Sequence, residues 1–164
     1  MNELDPESQR IKDVYAYFGV VMYYAQCLER TTAISLATVY GPGPQKITRT
    51  QFDVLLESNF KKTLGKLIHE LRNGSSISDD FESILSEALK KRNWLAHHYF
   101  WDRAQKFKTE EGQKDMKEEL QEIADYFKEI DKNLTLILTN WGKKYGVTAE
   151  MIQQEFDILV NIEK

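Results

Sequence analysis

Apolar residues fall at Ile11, Val14, Phe18, Val21, Ala25 and Leu28, in steps of three and four from Ser8 onward, and so draw one face of a helix. Gly41-Pro42-Gly43-Pro44 stops it, because proline has no amide to donate and clashes with the preceding turn. A second helical region begins near Thr50 and carries Phe52, Leu55, Leu56, Leu64, Leu67, Ile68 and Leu71 as its apolar set. Asn73-Gly74-Ser75-Ser76 closes it with a C-terminal glycine. Ser78 is placed to cap a third helix, with Asp79 and Asp80 where the helix dipole favours acids. Its stripe is Phe81, Leu85, Ala88, Leu95 and Tyr99, with Ile84 at the edge. The fourth pattern is the longest. Met116, Leu120, Ile123, Phe127, Ile130, Leu134, Ile137 and Trp141 alternate steps of four and three. Gly142 or Gly146 can end that helix, and Thr148 can cap a last one bearing Ile152, Phe156 and Leu159. No segment keeps a period of two, so a sheet is not expected. The pattern predicts an all-α fold: an antiparallel four-helix bundle with an extra C-terminal helix, one domain over residues 1–164.

Composition changes this picture little. Hydrophobic residues make up 41% and charged residues 29%, an ordinary balance for a chain that buries a core. No run approaches the ~20 apolar residues needed to span a bilayer, so no membrane partner is expected. Met1-Asn2-Glu3-Leu4-Asp5-Pro6-Glu7 is polar and acidic, unlike a secretory signal, and a cytoplasmic location is expected. A single cysteine, Cys27, leaves no internal disulfide and no cysteine-built zinc site. Charge is more telling in its distribution than in its total of −4. Residues 90–108 hold Lys90, Lys91, Arg92, Arg103, Lys106 and Lys108 against Asp102 alone, a local charge of +5 that leaves −9 elsewhere. A basic island on an acidic body suits one phosphate-binding face; a solvated helix face and loop would look the same.

The candidate chemistry lies inside that island, in Lys91-Arg92-Asn93-Trp94-Leu95-Ala96-His97-His98-Tyr99-Phe100. Arginine grips phosphate with a fork that cannot lose its proton, and histidine moves protons near neutral pH. On an unbroken helix Arg92 falls in the middle of the apolar stripe, where a lone guanidinium is costly. It therefore needs an acidic partner, a dimer seam or a cleft. Asn93 and His97 are four apart and share a face, so the amide can orient the imidazole. Arg92 and His97 are five apart, about 140° around the axis. They converge on one phosphate only if the helix breaks or a second copy contributes. His98 competes with His97 for the catalytic role. A metal site from His97, His98 and Asp102 lacks a supporting spacing, and no cofactor or metal is expected. His69 reads as a helix-surface residue, the Tyr15, Tyr17, Tyr23 and Tyr24 series as packing or surface, and Trp94, Tyr99, Phe100 and Trp101 as packing more than base stacking.

Arg92, Asn93, His97 and Tyr99, spaced Arg-x4-His-x-Tyr late in the third of several helices, resemble the signature of the HEPN-domain ribonucleases. That family consists of small helical proteins of toxin–antitoxin and antiviral defence systems. The resemblance implies a metal-independent endoribonuclease. His97 would be the general acid or base on the ribose 2′-hydroxyl, Arg92 would stabilise charge on the attacked phosphate, and Asn93 would complete the catalytic set. It implies an RNA substrate and a homodimer in which two motifs face each other. It also implies a possible nucleotidyltransferase-type antitoxin that would place AMP on Tyr99. His98, Lys91 and Arg103 join Tyr99 as substrate-binding or regulatory candidates. The seam is expected along the end of the third helix and Trp94 to Trp101. A non-catalytic module binding nucleotide, RNA or protein, and a structural bundle with an ion-paired Arg92, are the alternatives.

Overall fold

The computed structural model describes residues 5–43, 45–74 and 78–148, together with residues 150, 151 and 154. These form helices and connecting turns, with no strand among the described residues, as an all-α fold requires. The helices are α1 (Pro6–Thr38), α2 (Arg49–Phe60), α3 (Leu64–Gly74), α4 (Asp79–His97), α5 (Tyr99–Asp102) and α6 (Glu110–Lys144). A 3-10 turn, Lys106–Lys108, leads into α6. None of the described helices is long and apolar enough to cross a membrane.

Local chemistry starts each long element. The Asp5 carboxylate accepts from the amides of Glu7 and Ser8, with Pro6 in the first turn of α1. Thr48 and Gln51 close a capping box on α2, and Ser78 accepts from the Phe81 amide at 3.3 Å. The predicted apolar stripes then meet. Val14, Val21, Ala25 and Leu28 of α1 pack with Leu85, Ala88 and Leu95 of α4 and with Met116, Leu120, Phe127, Ile130 and Leu134 of α6. Burying side chains of this kind stabilises by roughly 1.5–3 kcal/mol each. Gly112 is required at the start of α6, since a Cβ there would lie 2.2 Å from the Lys106 carbonyl oxygen.

The topology departs from a simple four-helix bundle. What reads as one helical region after Thr50 is two helices, α2 and α3, split at residues 61–63 without glycine or proline. The Lys62 amide turns back to the Asn59 carbonyl, and the buried Asn59 amide donates to the Ala33 carbonyl of α1. The Thr63 hydroxyl and carbonyl accept from Lys66 and Leu67, and the Glu29 carboxylate takes the Leu64 amide at 2.7 Å. This added reversal sets α6 parallel to α1, whereas four alternating helices would make them antiparallel. Arg10 meets Glu110, Asp13 meets Lys117, and Tyr24 meets Lys128, a register that advances together along both helices. Helix α4 runs against α1, with Arg92 beside Glu29 and Tyr99 beside Phe18. The expected closing segment Ser75-Ser76 and the apolar positions Ile152, Phe156 and Leu159 of a last helix lie outside the described residues. At its expected cap the Thr148 hydroxyl accepts from the Met151 amide at 3.3 Å.

Candidate functional site

Helix α4 ends in the middle of the motif. His98 leaves helical geometry at φ −131°, and one further turn, α5, follows at once. Tyr99 anchors the turn that follows. Its ring is 1% exposed, stacks on Phe18, and meets Trp94 and Phe100 edge-on. Its hydroxyl donates to the Met116 carbonyl of α6 at 3.2 Å. The indole of Trp94 donates to the Asp102 carboxylate at 2.7 Å and ties α4 to α5 across the break. Leu95 and Tyr99 therefore face inward, while His97, His98 and Trp101 face solvent.

Arg92 is half-buried and ion-paired. A guanidinium nitrogen lies 3.8 Å from the Glu29 carboxylate, whose other oxygen holds the Leu64 amide at the start of α3. The acidic partner that its place in the apolar stripe requires is thus supplied within one chain. Asn93 serves Arg92 instead of His97: its side-chain oxygen accepts from the guanidinium at 3.2 Å. This corrects the expected orienting role of Asn93. The helix break does not unite Arg92 with His97 either, because it falls after both, and they remain on different sides of α4. His97 and His98 lie beside each other with ring centroids 6.3 Å apart, both exposed.

Tyr99 does not present a hydroxyl for modification in this conformation. Burial pushes the phenol well above its usual range, and nearby Glu119 pushes the same way. That corrects the expectation of an accessible AMP acceptor. Arg103 is likewise engaged. Its guanidinium makes two hydrogen bonds to the Glu119 carboxylate, at 2.8 and 2.5 Å, and lies over the Trp94 ring at 5.0 Å. Donating to the Glu119 carboxylate raises its already high pKa further.

The basic island is also less basic in three dimensions than along the chain. Lys90 pairs with Glu87, Arg92 with Glu29, Arg103 with Glu119 and Lys106 with Asp115. The Lys91 ammonium sits 5.6 Å from the Tyr126 ring centre. Three of those four carboxylates come from α1 and α6, outside residues 90–108, which is why counting within that stretch overstates the local field.

Trp101 is the residue that periodicity undervalues. Trp94, Tyr99 and Phe100 pack as expected, but Trp101 is 85% exposed beside the two histidines in sequence. Its position off the Leu95–Tyr99 stripe was the available signal. The surface segment thus offers two proton-transfer groups and one stacking face, with a cation partly withdrawn at its edge. No protein-family model, curated protein or solved structure matches this chain, so its own geometry carries the functional argument.

Proposed function

We propose that this chain is a metal-independent endoribonuclease of the HEPN type, a toxin or defence effector that works as a homodimer. The observation that carries this reading is the outward presentation of His97, one residue before the break at His98, on the segment that also holds Arg92. An exposed imidazole can take the proton of a ribose 2′-hydroxyl as that oxygen attacks phosphorus, and a proton returns to the departing 5′-oxygen. Arg92 supplies the cation on the non-bridging oxygens. Its 3.8 Å approach to Glu29 is longer than the ~2.7–2.9 Å of a tight charge-assisted hydrogen bond, so a phosphate can compete for it. Because Arg92 and His97 diverge on one helix, the working pair takes one residue from each copy. AMP transfer to Tyr99 by a nucleotidyltransferase antitoxin is not part of the proposal, given the buried hydroxyl.

A second reading, a non-catalytic module that binds nucleotide, RNA or a protein, draws on the same ion pair. Glu29 joins α1 to the start of α3 and to Arg92, a purely architectural use of the guanidinium. Purified protein incubated with total RNA in EDTA separates the two. Cleavage by the wild type, with a loss of about 100-fold or more in His97→Ala at unchanged helicity, is expected. Equal cleavage by His97→Ala, or none by the wild type, removes the nuclease reading.

A further inference from the structure

The outer face of α1 is exposed, and among the described residues Tyr15 alone on it meets another element, at Phe100 and Phe107. From Val14 to Leu28 the chain has no charged residue, although 29% of the whole is charged. The inward side of that run, Val14, Val21, Ala25 and Leu28, is core. The outward side carries Tyr15, Ala16, Gly19, Val20 and Tyr23, all exposed, with Tyr15 at 53%, Val20 at 46% and Tyr23 at 60%. Gly19 is the telling residue. Glycine weakens a helix interior, and among the described residues nothing repays it: a Cβ would meet no neighbouring atom within 4 Å. An exposed mid-helix glycine between two large side chains is a place for another backbone to come close.

We propose that this face seats a second copy of the same chain, with two α1 helices crossing antiparallel about a twofold axis at Gly19. The face is self-complementary about that point, as a twofold interface must be. Tyr15 and Tyr23 stand four residues to either side of Gly19, so each copy's Tyr15 lies opposite the other's Tyr23. Lys12 comes opposite Gln26, and no like charges meet. At one edge the Tyr15 ring meets Phe100 of α5, with ring centroids 5.5 Å apart. Area fits the centre of such a seam. A free aromatic side chain offers ~150–250 Å², so the exposed parts of Tyr15, Val20 and Tyr23 amount to roughly 250–350 Å² per copy before Ala16 and Gly19 are added. A standard interface of ~800 Å² a side is about three-fifths apolar, roughly 480 Å², so this face forms most of the apolar centre and polar flanks such as Lys12 and Gln26 complete it. A face without charge offers a charged partner nothing to pair with.

The inference shares with the proposed nuclease only the expectation of a dimer, and its test reads mass and cross-linking, not cleavage. Light scattering of the full chain at micromolar concentration is expected to give a dimer. Gly19→Glu should weaken association by roughly 100-fold or more, by placing two carboxylates at a desolvated axis. Since the added side chain meets only open space, helicity should hold; Tyr23→Glu is the second variant if it does not. In a Cys27→Ser background, Gly19→Cys should oxidise to a disulfide-linked dimer, while the exposed α6 control Gln121→Cys should not. A wild-type monomer, a dimer indifferent to both glutamate variants, or Gly19→Cys that links no better than the control would overturn the seam. A dimer that persists in the glutamate variants would leave the nuclease reading standing on another interface.

Discussion

Tyr99 and His97 are two residues apart and serve opposite ends of the same segment. Tyr99 is locked inward by Phe18, Trp94, Phe100 and the Met116 carbonyl; His97 stands in solvent beside the neighbouring His98 ring. Helix periodicity creates the difference. Two residues at about 100° each stand about 200° apart, so Tyr99 continues the Leu95 stripe inward while His97, still inside α4, points outward. A short motif can therefore mix a structural residue with reactive ones, and side-chain type alone does not sort them. Burial does.

The strongest way to break that contrast is to remove the anchor. Tyr99→Ala would empty a fully buried aromatic site and leave the α4–α5 junction unsupported. A loss of ~3–5 kcal/mol in stability is expected, read by urea or thermal unfolding. The same truncation at His97 should cost within ~0.5 kcal/mol, as for exposed positions without special contacts. Comparable losses at the two positions would mean that the inward and outward assignments are wrong.

Arg92 sits between the two categories, and its substitutions sharpen the line. If the guanidinium acts on RNA, Arg92→Lys should lower cleavage by about 10–100-fold, because an ammonium cannot reproduce the fork. Its effect on stability should be small, since a half-exposed ion pair of this kind contributes ~0–1 kcal/mol. Glu29→Gln keeps an oxygen for the Leu64 amide, releases Arg92, and should leave cleavage equal or raised. If Arg92 is only the counter-ion of Glu29, the lysine variant will keep whatever activity the protein has.

Legibility in the sequence followed the same division between local and distant causes. The stripe from Met116 to Leu134 is buried as its spacing predicts, because a helix period needs no knowledge of partners. The Ser78 cap is equally local. The split between α2 and α3 was hidden because its agents are remote: the Ala33 carbonyl takes the Asn59 amide, and Glu29 takes the Leu64 amide. No glycine or proline marks the place. At the candidate site, the chemistry of Arg92 and His97 was visible, but their partners were not. Glu29 is 63 positions from Arg92, and Glu119 is 16 from Arg103. With Glu87 and Asp115, these two carboxylates compensate much of the basic run.

The smallest predicted effect tests the anchor without emptying its site. Tyr99 holds its proton more tightly when folded than the ordinary phenol of the unfolded chain, which titrates near ~10. Its contribution is therefore fully present below pH ~10 and is lost as pH rises from there toward the elevated folded value, because the unfolded state ionises first. Tyr40 and Tyr126 are shifted upward by burial too, so the wild type should lose stability on the alkaline side from several phenols together. Tyr99→Phe removes one of them. At neutral pH it should cost about 1 kcal/mol for the hydrogen bond to the Met116 carbonyl. Above pH ~10 the gap to wild type should narrow, because phenylalanine has no proton to lose. Unfolding curves for the two proteins at neutral pH and at successive alkaline values give the comparison directly. A constant gap across that range would mean that the Tyr99 hydroxyl titrates as freely in the folded protein as in the unfolded chain, and that it is not the buried anchor of the α4–α5 junction.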